Sequence, residues 1–393
     1  MPLDLVRQDA DAVVASLVGS ALALPAHEAV SLTPEQGLDA LGVDSLDLIG
    51  LATRVAGFFR LHESETEDAL LRRRVLGAWA EVACASWPHT SRRLSFHTSG
   101  TTGQPVECVH PFTDLAEEAQ ALASLVGEGR RRVVGLVPRH HIYGFLFTVL
   151  LPRALGVEFL DARAMLPTEL QRALRPGDVL VGFPTRWSQQ ARPGLTFPPG
   201  VVGTTSTAPC PAEVADSLVG LGLERLIEVY GSSETAGIGW RDAPERPFCL
   251  FPWWTLSGGR LHRSSAEDRL RQGPPVVPPD VLEVEPGGFR VRGRRDGMVQ
   301  VGGVNVSLTL VEAVLRTHPQ VADCVVRLMR LEEGIRLKAF VVSRDTGADV
   351  PPDVQAAGLR RWLAQRLPVA SRPTALTVGT AIPRDPLGKP ADW

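Results

Sequence analysis

Residues Ser95–Val106 read SFHTSGTTGQPV, and what this stretch can hold decides the fold. A short strand pattern ends near Phe96, and Thr98, Ser99, Gly100, Thr101, Thr102 and Gly103 then supply hydroxyls and two glycines. Successive backbone N–H groups in such a turn form a concave nest for anions; glycines admit close approach and hydroxyls add donors. The stretch reads as a polyphosphate loop, although an ordinary polar loop has a similar composition. It is not a Walker-type loop, because Gln104-Pro105 stand where that motif carries Lys-[Ser/Thr]. The cation that would answer the phosphate must therefore come from elsewhere in the chain.

Lysine is scarce. Lys338 and Lys389 are the only two among 41 basic residues, and arginine fills every other basic position. A compact, mobile ammonium does work that a planar guanidinium cannot, which singles out Lys389 in the segment PRDPLGKPADW (Pro383–Trp393), with Gly388 beside it to permit close approach.

The totals narrow the classes. At 393 residues the chain exceeds what one hydrophobic core fills, so two or three domains are expected. A net charge of −3 advertises neither a nucleic-acid nor a membrane surface and favours a small-molecule partner. Cys84, Cys108, Cys210, Cys249 and Cys324 are scattered without a C-x-x-C pair, as in a reducing compartment. No charged-then-apolar leader opens the chain, and no apolar run approaches the ~20 residues of a membrane span. A soluble cytoplasmic protein is expected.

Outward from the loop, three blocks follow. Residues 1–86 are helical in pattern, with apolar spacing over Leu5–Leu22 and again over Ser45–Phe59 through Leu46, Ile49, Ala52, Val55 and Phe59. Residues 94–293 alternate short β-rich runs (RRVVGLVP, GVEFLD, GDVLVGFP, LIEVYG) with helical segments Thr113–Val126 and Pro211–Leu221. That alternation predicts an α/β domain with a mostly parallel sheet. After the Pro-rich QGPPVVPPD and the hairpin-like VLEVEPGGFRVRG, residues 294–393 read as a small α+β unit with helices over Leu308–Thr317 and Val354–Leu367.

Four motifs in order resemble the adenylate-forming superfamily: the acyl- and aryl-CoA synthetases, luciferase-like enzymes and peptide-synthetase adenylation domains. HTSGTTGQP is similar to their phosphate loop, YGSSETAG (Tyr230–Gly237) to their second nucleotide motif, GRRDGMVQVGGVNVSL (Gly293–Leu308) to their hinge and lid motif, and PRDPLGKPADW to their closing lysine motif. The resemblance covers roughly residues 94–393 and implies an AMP-forming acid–thiol ligase with a C-terminal lid. A carboxylate would join the α-phosphate of ATP, release pyrophosphate and pass the acyl group, of aryl type, to a thiol.

The same resemblance assigns roles. Lys389 would reach from the lid to carboxylate and phosphate, and Glu234 would hold Mg²⁺, a hard cation suited to oxygen ligands. Ser233 would touch the α-phosphate, and Tyr230 with Gly231 would meet adenine opposite Thr207 and Ala208 of STAPCP (Ser206–Pro211). Asp280 would take the ribose hydroxyls, assisted by Arg294. In PRHHIYGF (Pro138–Phe145), His141 and Gly144 would border the acyl substrate and His140 would be structural, the two histidines lying on opposite faces of a strand.

LDALGVDSLDLIGLATRVAGFF (Leu38–Phe59) resembles an acyl or peptidyl carrier domain in which Ser45 would accept 4'-phosphopantetheine from a phosphopantetheinyl transferase. Asp44 also suits a plain helix N-cap. The leading expectation is transfer of the acyl group to a carrier, in cis or in trans. Free coenzyme A as acceptor and a non-catalytic nucleotide-binding or carrier-docking protein are the alternatives.

Some positions depart from the family pattern. Only the carrier-like block precedes the phosphate loop, so a usual lobe of the large domain is expected to be missing or replaced. Val106 stands where a lysine is frequent, Gly297 follows Asp296 at the hinge, and Y-R-T-G-D is absent around Asp280.

Overall fold

The computed structural model describes residues 3–98, 106–192, 194–264, 274–295, 297–302, 304–330, 333–334, 336–344, 351–383 and 393. The chain forms two compact units. The first contains Met1–Thr98, Pro105–Pro278 and Leu282–Val291, and the second is built mainly from Arg292–Trp393.

The front block holds α1 (Arg7–Ala21), α2 (Ala26–Ala29), α3 (Ser45–Phe59), α4 (Asp68–Leu71) and α5 (Leu76–Ser86). Asp44 caps α3, its Oδ1 accepting the backbone N–H groups of Leu46 and Asp47 at 2.8 Å each, and the helix stops where Arg60 turns left-handed at φ 56°. The buried stripe is Leu48, Leu51, Ala52, Val55, Phe58 and Phe59. The sequence reading placed Leu46 and Ile49 on that stripe; they are 78% and 53% exposed. The helix is rotated because Leu48, Leu51 and Phe58 extend the i, i+3, i+4 pattern along its whole length, while Leu46 and Ile49 do so only through its first half.

The expected boundary after residue 86 is not a boundary of packing. Val13, Val14 and Val18 of α1 and Val55, Phe58 and Phe59 of α3 share one apolar core with Phe96, Val133 and Phe145, the Phe58 ring lying 5.1 Å from Phe96 and 6.1 Å from Phe145. Polar links reinforce the seam. Buried Asp9 pairs with Arg153, whose Nη1 also donates to the Asp4 carbonyl at 2.9 Å. Ser16 Oγ lies 2.8 Å from His140 Nδ1 and accepts the Arg139 N–H at 3.1 Å. Arg60 donates to Ser95 Oγ at 3.2 Å and to Glu107 at 3.1 Å. Each large apolar side chain buried here contributes about 1.5–3 kcal/mol, so an independent, swinging carrier bundle would have to expose a face that this protein buries.

After the antiparallel pair β1 (Arg93–Thr98) and β2 (Val106–Pro111) comes α6 (Phe112–Val126). Then follow β3 (Arg132–Gly135), α7 (Ile142–Phe145), a π turn over Leu146–Leu150, α8 (Leu151–Leu155), β4 (Glu158–Asp161), α9 (Pro167–Ala173) and β5 (Asp178–Gly182). Next are α10 (Pro184–Gln190), β6 (Val202–Thr205), α11 (Ala212–Gly220), β7 (Arg225–Ser232), β8 (Ala236–Arg241) and β9 (Cys249–Leu250). Seven strands form one sheet in the order β4-β3-β5-β6-β7-β8-β9. The first five run parallel, and β8 and β9 turn antiparallel. Every residue of β3, β5 and β6 is buried, as parallel strands covered on both faces must be. The π turn precedes Pro152, which has no N–H to donate to the Thr148 carbonyl and so breaks the regular helical ladder.

Two short hairpins close this region: β10 (Trp254–Ser257) with β11 (Arg260–Arg263), and β12 (Asp280–Glu285) with β13 (Gly288–Arg294). The second unit has its own core. It contains β14 (Val299–Val301), β15 (Val304–Val306), α12 (Leu308–Arg316), β16 (Val321–Leu328), β17 (Leu337–Ser343), α13 (Pro352–Ala364) and β18 (Ala375–Gly379). Its three-stranded sheet pairs β16 and β17 antiparallel and β17 and β18 parallel. Lys338, one of the two lysines, is a structural cation here, 2.7 Å from Glu333 and bonded to the Trp393 carbonyl. No helix among the described residues is long and apolar enough to cross a membrane.

Candidate active site

The parallel strands bring their carboxyl ends to one edge of the sheet, where ligands of open α/β folds bind. The register aligns Gly182 of β5 with Thr205 of β6, and Thr205 with Glu228 of β7. Three expected site segments leave from this edge: Pro138–Gly144 beyond β3, Ser206–Ala208 beyond β6 and Tyr230–Glu234 at the end of β7. Tyr143 ties them to the sheet. Its buried hydroxyl donates to the Gly182 carbonyl at 2.9 Å and lies 3.1 Å from Thr204 Oγ1, and burial raises its pKa.

Thr207 adopts φ +78°, a left-handed conformation that a β-branched residue avoids at a cost of about 1–2 kcal/mol. Just before it, the buried Thr205 Oγ1 has no hydrogen-bond partner among the described residues. Strain and an orphaned hydroxyl side by side at the end of β6 mark a place shaped by something other than stability.

The Tyr230–Gly237 motif forms the β7–β8 turn. Tyr230 is half-buried, its ring centroid 5.5 Å from Phe248 and 5.6 Å from Phe289. Within the turn Thr235 Oγ1 accepts the Ser232 N–H at 3.2 Å and donates to the Ala236 carbonyl at 3.0 Å, while Ala236 itself sits at φ +57°. Glu234 projects exposed from the middle. Two residues that the sequence reading passed over hold this turn. His110 of β2 donates from Nε2 to the Ser233 carbonyl at 2.7 Å, and Glu118 of α6 accepts the Gly237 N–H at 2.9 Å. A Cβ on Gly237 would lie 2.4 Å from Glu118 Oε1 and 2.9 Å from the Phe251 ring, so a side chain there would displace the carboxylate from its grip. The available signal was Glu118 itself, an acid set on the buried stripe of Leu115, Ala119 and Leu122.

The histidine pair is corrected. His140 and His141 lie in the turn before α7, not on a strand, and their rings are neighbours with centroids 4.3 Å apart. The extended run ends at Gly135, because the chain must turn to start α7. Burial first, then the charges of His141, Arg163 and Arg54, hold His140 down at about 3; with Ser16 at its Nδ1 it is a neutral, structural imidazole. His141 keeps an exposed edge, and dense surroundings lower its pKa as well. Gly144 admits no side chain, since a Cβ would stand 1.8 Å from the Pro138 carbonyl oxygen. Its part is to let α7 close onto the histidine turn.

Asp280 opens β12 and Arg294 closes β13, which sets both at the open end of one hairpin. Thr98 ends β1 opposite Val106. Ser99, Gly100, Thr101, Thr102, Gly103 and Lys389 lie outside the described residues. Ser45 is exposed at the first turn of α3 beside its Asp44 cap. Among the described residues no group of three or more His, Cys, Asp and Glu could hold a metal, so a cation at Glu234 would draw on fewer than three such side chains there. Mg²⁺ fits that supply, because it keeps waters and shares substrate phosphates. Burial pushes the Cys108 and Cys210 thiols up to about 11 and about 12, which leaves them inert.

The sequence matches the family of AMP-binding enzymes over residues 88–275 and the C-terminal domain of AMP-binding enzymes over residues 310–389. It is 40% identical over 365 residues to a 4-coumarate–CoA ligase of Halorhodospira halophila, covering 92% of this chain and 91% of that one. A 4-coumarate–CoA ligase of Cereibacter sphaeroides is 39% identical, with 90% and 84% covered. Among solved structures, the amide bond synthetase McbA of Marinactinospora thermotolerans has a TM-score of 0.59 at 22% identity, covering 75% of this chain and 67% of that one. The fold is that of adenylate-forming enzymes. The chain belongs to the AMP-binding enzyme family and is an AMP-forming acid–thiol ligase. A match over 92% of this chain leaves about 30 residues uncovered, so the likeness to the Halorhodospira relative extends into the front block.

Proposed function

We propose that the protein activates a small aryl or arylalkenoic acid with ATP and transfers the acyl group to free coenzyme A. The observation that carries this reading is the 40% identity over 92% of the chain to a ligase named for 4-coumarate and CoA. The seam between front block and sheet supports it against the carrier reading, because Ser45 belongs to a helix whose apolar face is locked into the main core. Ser45 then serves as the first residue of a capped helix, and neither 4'-phosphopantetheine nor a transferase is needed.

In the first half-reaction a carboxylate oxygen of the acid attacks the α-phosphorus, the α–β P–O bond breaks, and pyrophosphate leaves with the electron pair. In the second, the coenzyme A sulfur attacks the acyl carbon, AMP leaves, and the thiol proton is lost. Charge gathers on phosphate oxygens in the first transition state, so fixed cations and donors supply most of the catalysis. The Thr98–Gly103 loop would cradle the polyphosphate and Lys389 would bring the ammonium that the loop lacks. Ser233 would donate to the α-phosphate, and Glu234 would hold a magnesium ion, which would supply positive charge to the polyphosphate. Tyr230, Thr207 and Ala208 would enclose adenine, Asp280 with Arg294 would take the ribose, and His141 would face the acid.

The test is acid-dependent pyrophosphate release over a panel of benzoic, cinnamic and aliphatic acids, followed by mass detection of the coenzyme A thioester. An aryl or arylalkenoic acid is expected to give both products. A panel in which no acid supports pyrophosphate release would refute the reading.

A further inference from the structure

The β7–β8 turn that carries Glu234 is gripped at three main-chain atoms by side chains from outside its own hairpin. His110 Nε2 donates to the Ser233 carbonyl at 2.7 Å. Glu118 accepts the Gly237 N–H through Oε1 at 2.9 Å and Oε2 at 3.2 Å. Trp254 Nε1 donates to the Gly237 carbonyl at 2.8 Å. All three side chains are buried, at 8%, 1% and 6% exposure. The turn needs such support, because Ala236 is left-handed and Glu234 is bare to solvent at its tip. His110 and Glu118 come from β2 and α6, the continuous stretch that follows residues 99–105 in the chain. One piece of chain thus carries the exit of the first nucleotide motif and fixes the second.

We propose that His110, Glu118 and Trp254 are positioning residues that set the affinity for magnesium-bound nucleotide by holding the Ser233–Gly237 turn, and with it the Glu234 carboxylate, in register. The inference rests on the reading of Glu234 as the magnesium holder. None of the three touches a reacting atom. Their effect should therefore fall on metal and nucleotide binding and leave the rate at saturation largely intact.

The experiment uses the full chain with His110→Leu, Glu118→Ala and Trp254→Phe, the last removing the Nε1 donor and part of the ring while keeping an aromatic side chain. Two quantities are read: backbone amide exchange over residues 230–240, and the Mg²⁺ concentration giving half-maximal ATP–pyrophosphate exchange. Leaving one buried partner unsatisfied is worth about a ten-fold change in an equilibrium. Each variant should thus exchange faster over the turn and need about ten-fold more Mg²⁺, with kcat at saturating Mg²⁺ within about three-fold of wild type. His110→Gln, which keeps a donor, should recover most of the His110→Leu loss. Folded variants with unchanged Mg²⁺ requirement would overturn the proposal; should the two truncations fail to fold, Trp254→Phe decides it alone. Glu234→Gln separates this from the underlying reading. If that change leaves the Mg²⁺ requirement unaltered, the assignment of Glu234 fails, whereas amide exchange still judges the grip.

Discussion

Glu118 gives a sharp test of the packing around the nucleotide turn. Its carboxyl is fully buried in α6, and burial raises its pKa from an ordinary 4.5 to about 7; Arg263 and the Gly237 N–H act against this, while Glu117 and Asp114 reinforce it. Between those values the native protein keeps a proton that the unfolded chain has lost, so stability falls as pH rises through the window. At about 1.36 kcal/mol per pH unit, the passage from 4.5 to about 7 removes about 3 kcal/mol. Glu118→Gln cannot titrate and retains an oxygen to accept the Gly237 N–H. The unfolding free energy of this variant minus that of wild type should therefore climb by about 3 kcal/mol between pH 4.5 and pH 8 and level off above it. Urea unfolding of both proteins across that range measures the difference, and buried Asp9, itself raised to about 6, cancels because it titrates in both. A difference that stays flat with pH would refute the reasoning, since it would mean that Glu118 ionises alike in folded and unfolded chains.

Three further outcomes are expected. Lys389→Ala should lower adenylate formation by about 10²–10³, read as pyrophosphate release, because it would remove the ammonium offered to the transferring phosphate. Ser45→Ala should leave coenzyme A thioester formation within about two-fold of wild type and cost less than about 0.5 kcal/mol, as surface changes do; intact mass of the purified protein should show Ser45 unmodified. Gly144→Ala should destabilise the protein by more than about 2 kcal/mol in thermal or urea unfolding, because its Cβ would enter the Pro138 carbonyl and force α7 off the histidine turn.

Much of the secondary structure was legible because it rests on local periodicity. Ser45–Phe59 is a helix over the very residues read from the apolar spacing; α6 and α12 differ from their expected ranges by one residue at one end, and α11 by one residue at each end. The hairpin of β12 and β13 announced itself in EPGG, and the sheet in its alternation with helices. Rotation about a helix axis is less local. Leu46 and Ile49 fit a 3.6 period as well as Leu48 does over one turn, and only the surface that the helix meets chooses between them. The histidine turn was misread for a similar reason, since PRHH follows a strand without continuing its ladder.

By itself the sequence determined the family and nominated the groups proposed for the chemistry: motifs such as SGTTG, SSETAG and GK need particular backbone freedom and functional groups, and those requirements are written in residue type. What tertiary structure decided was which partners hold them. That α1 and α3 are cemented to the sheet rather than free, that His140 is locked by Ser16, and that His110 and Glu118 grip a turn more than a hundred residues away depend on long-range packing. A buried polar group is tolerable only where a distant segment supplies its hydrogen bond, and no short window of sequence contains both ends of that bond.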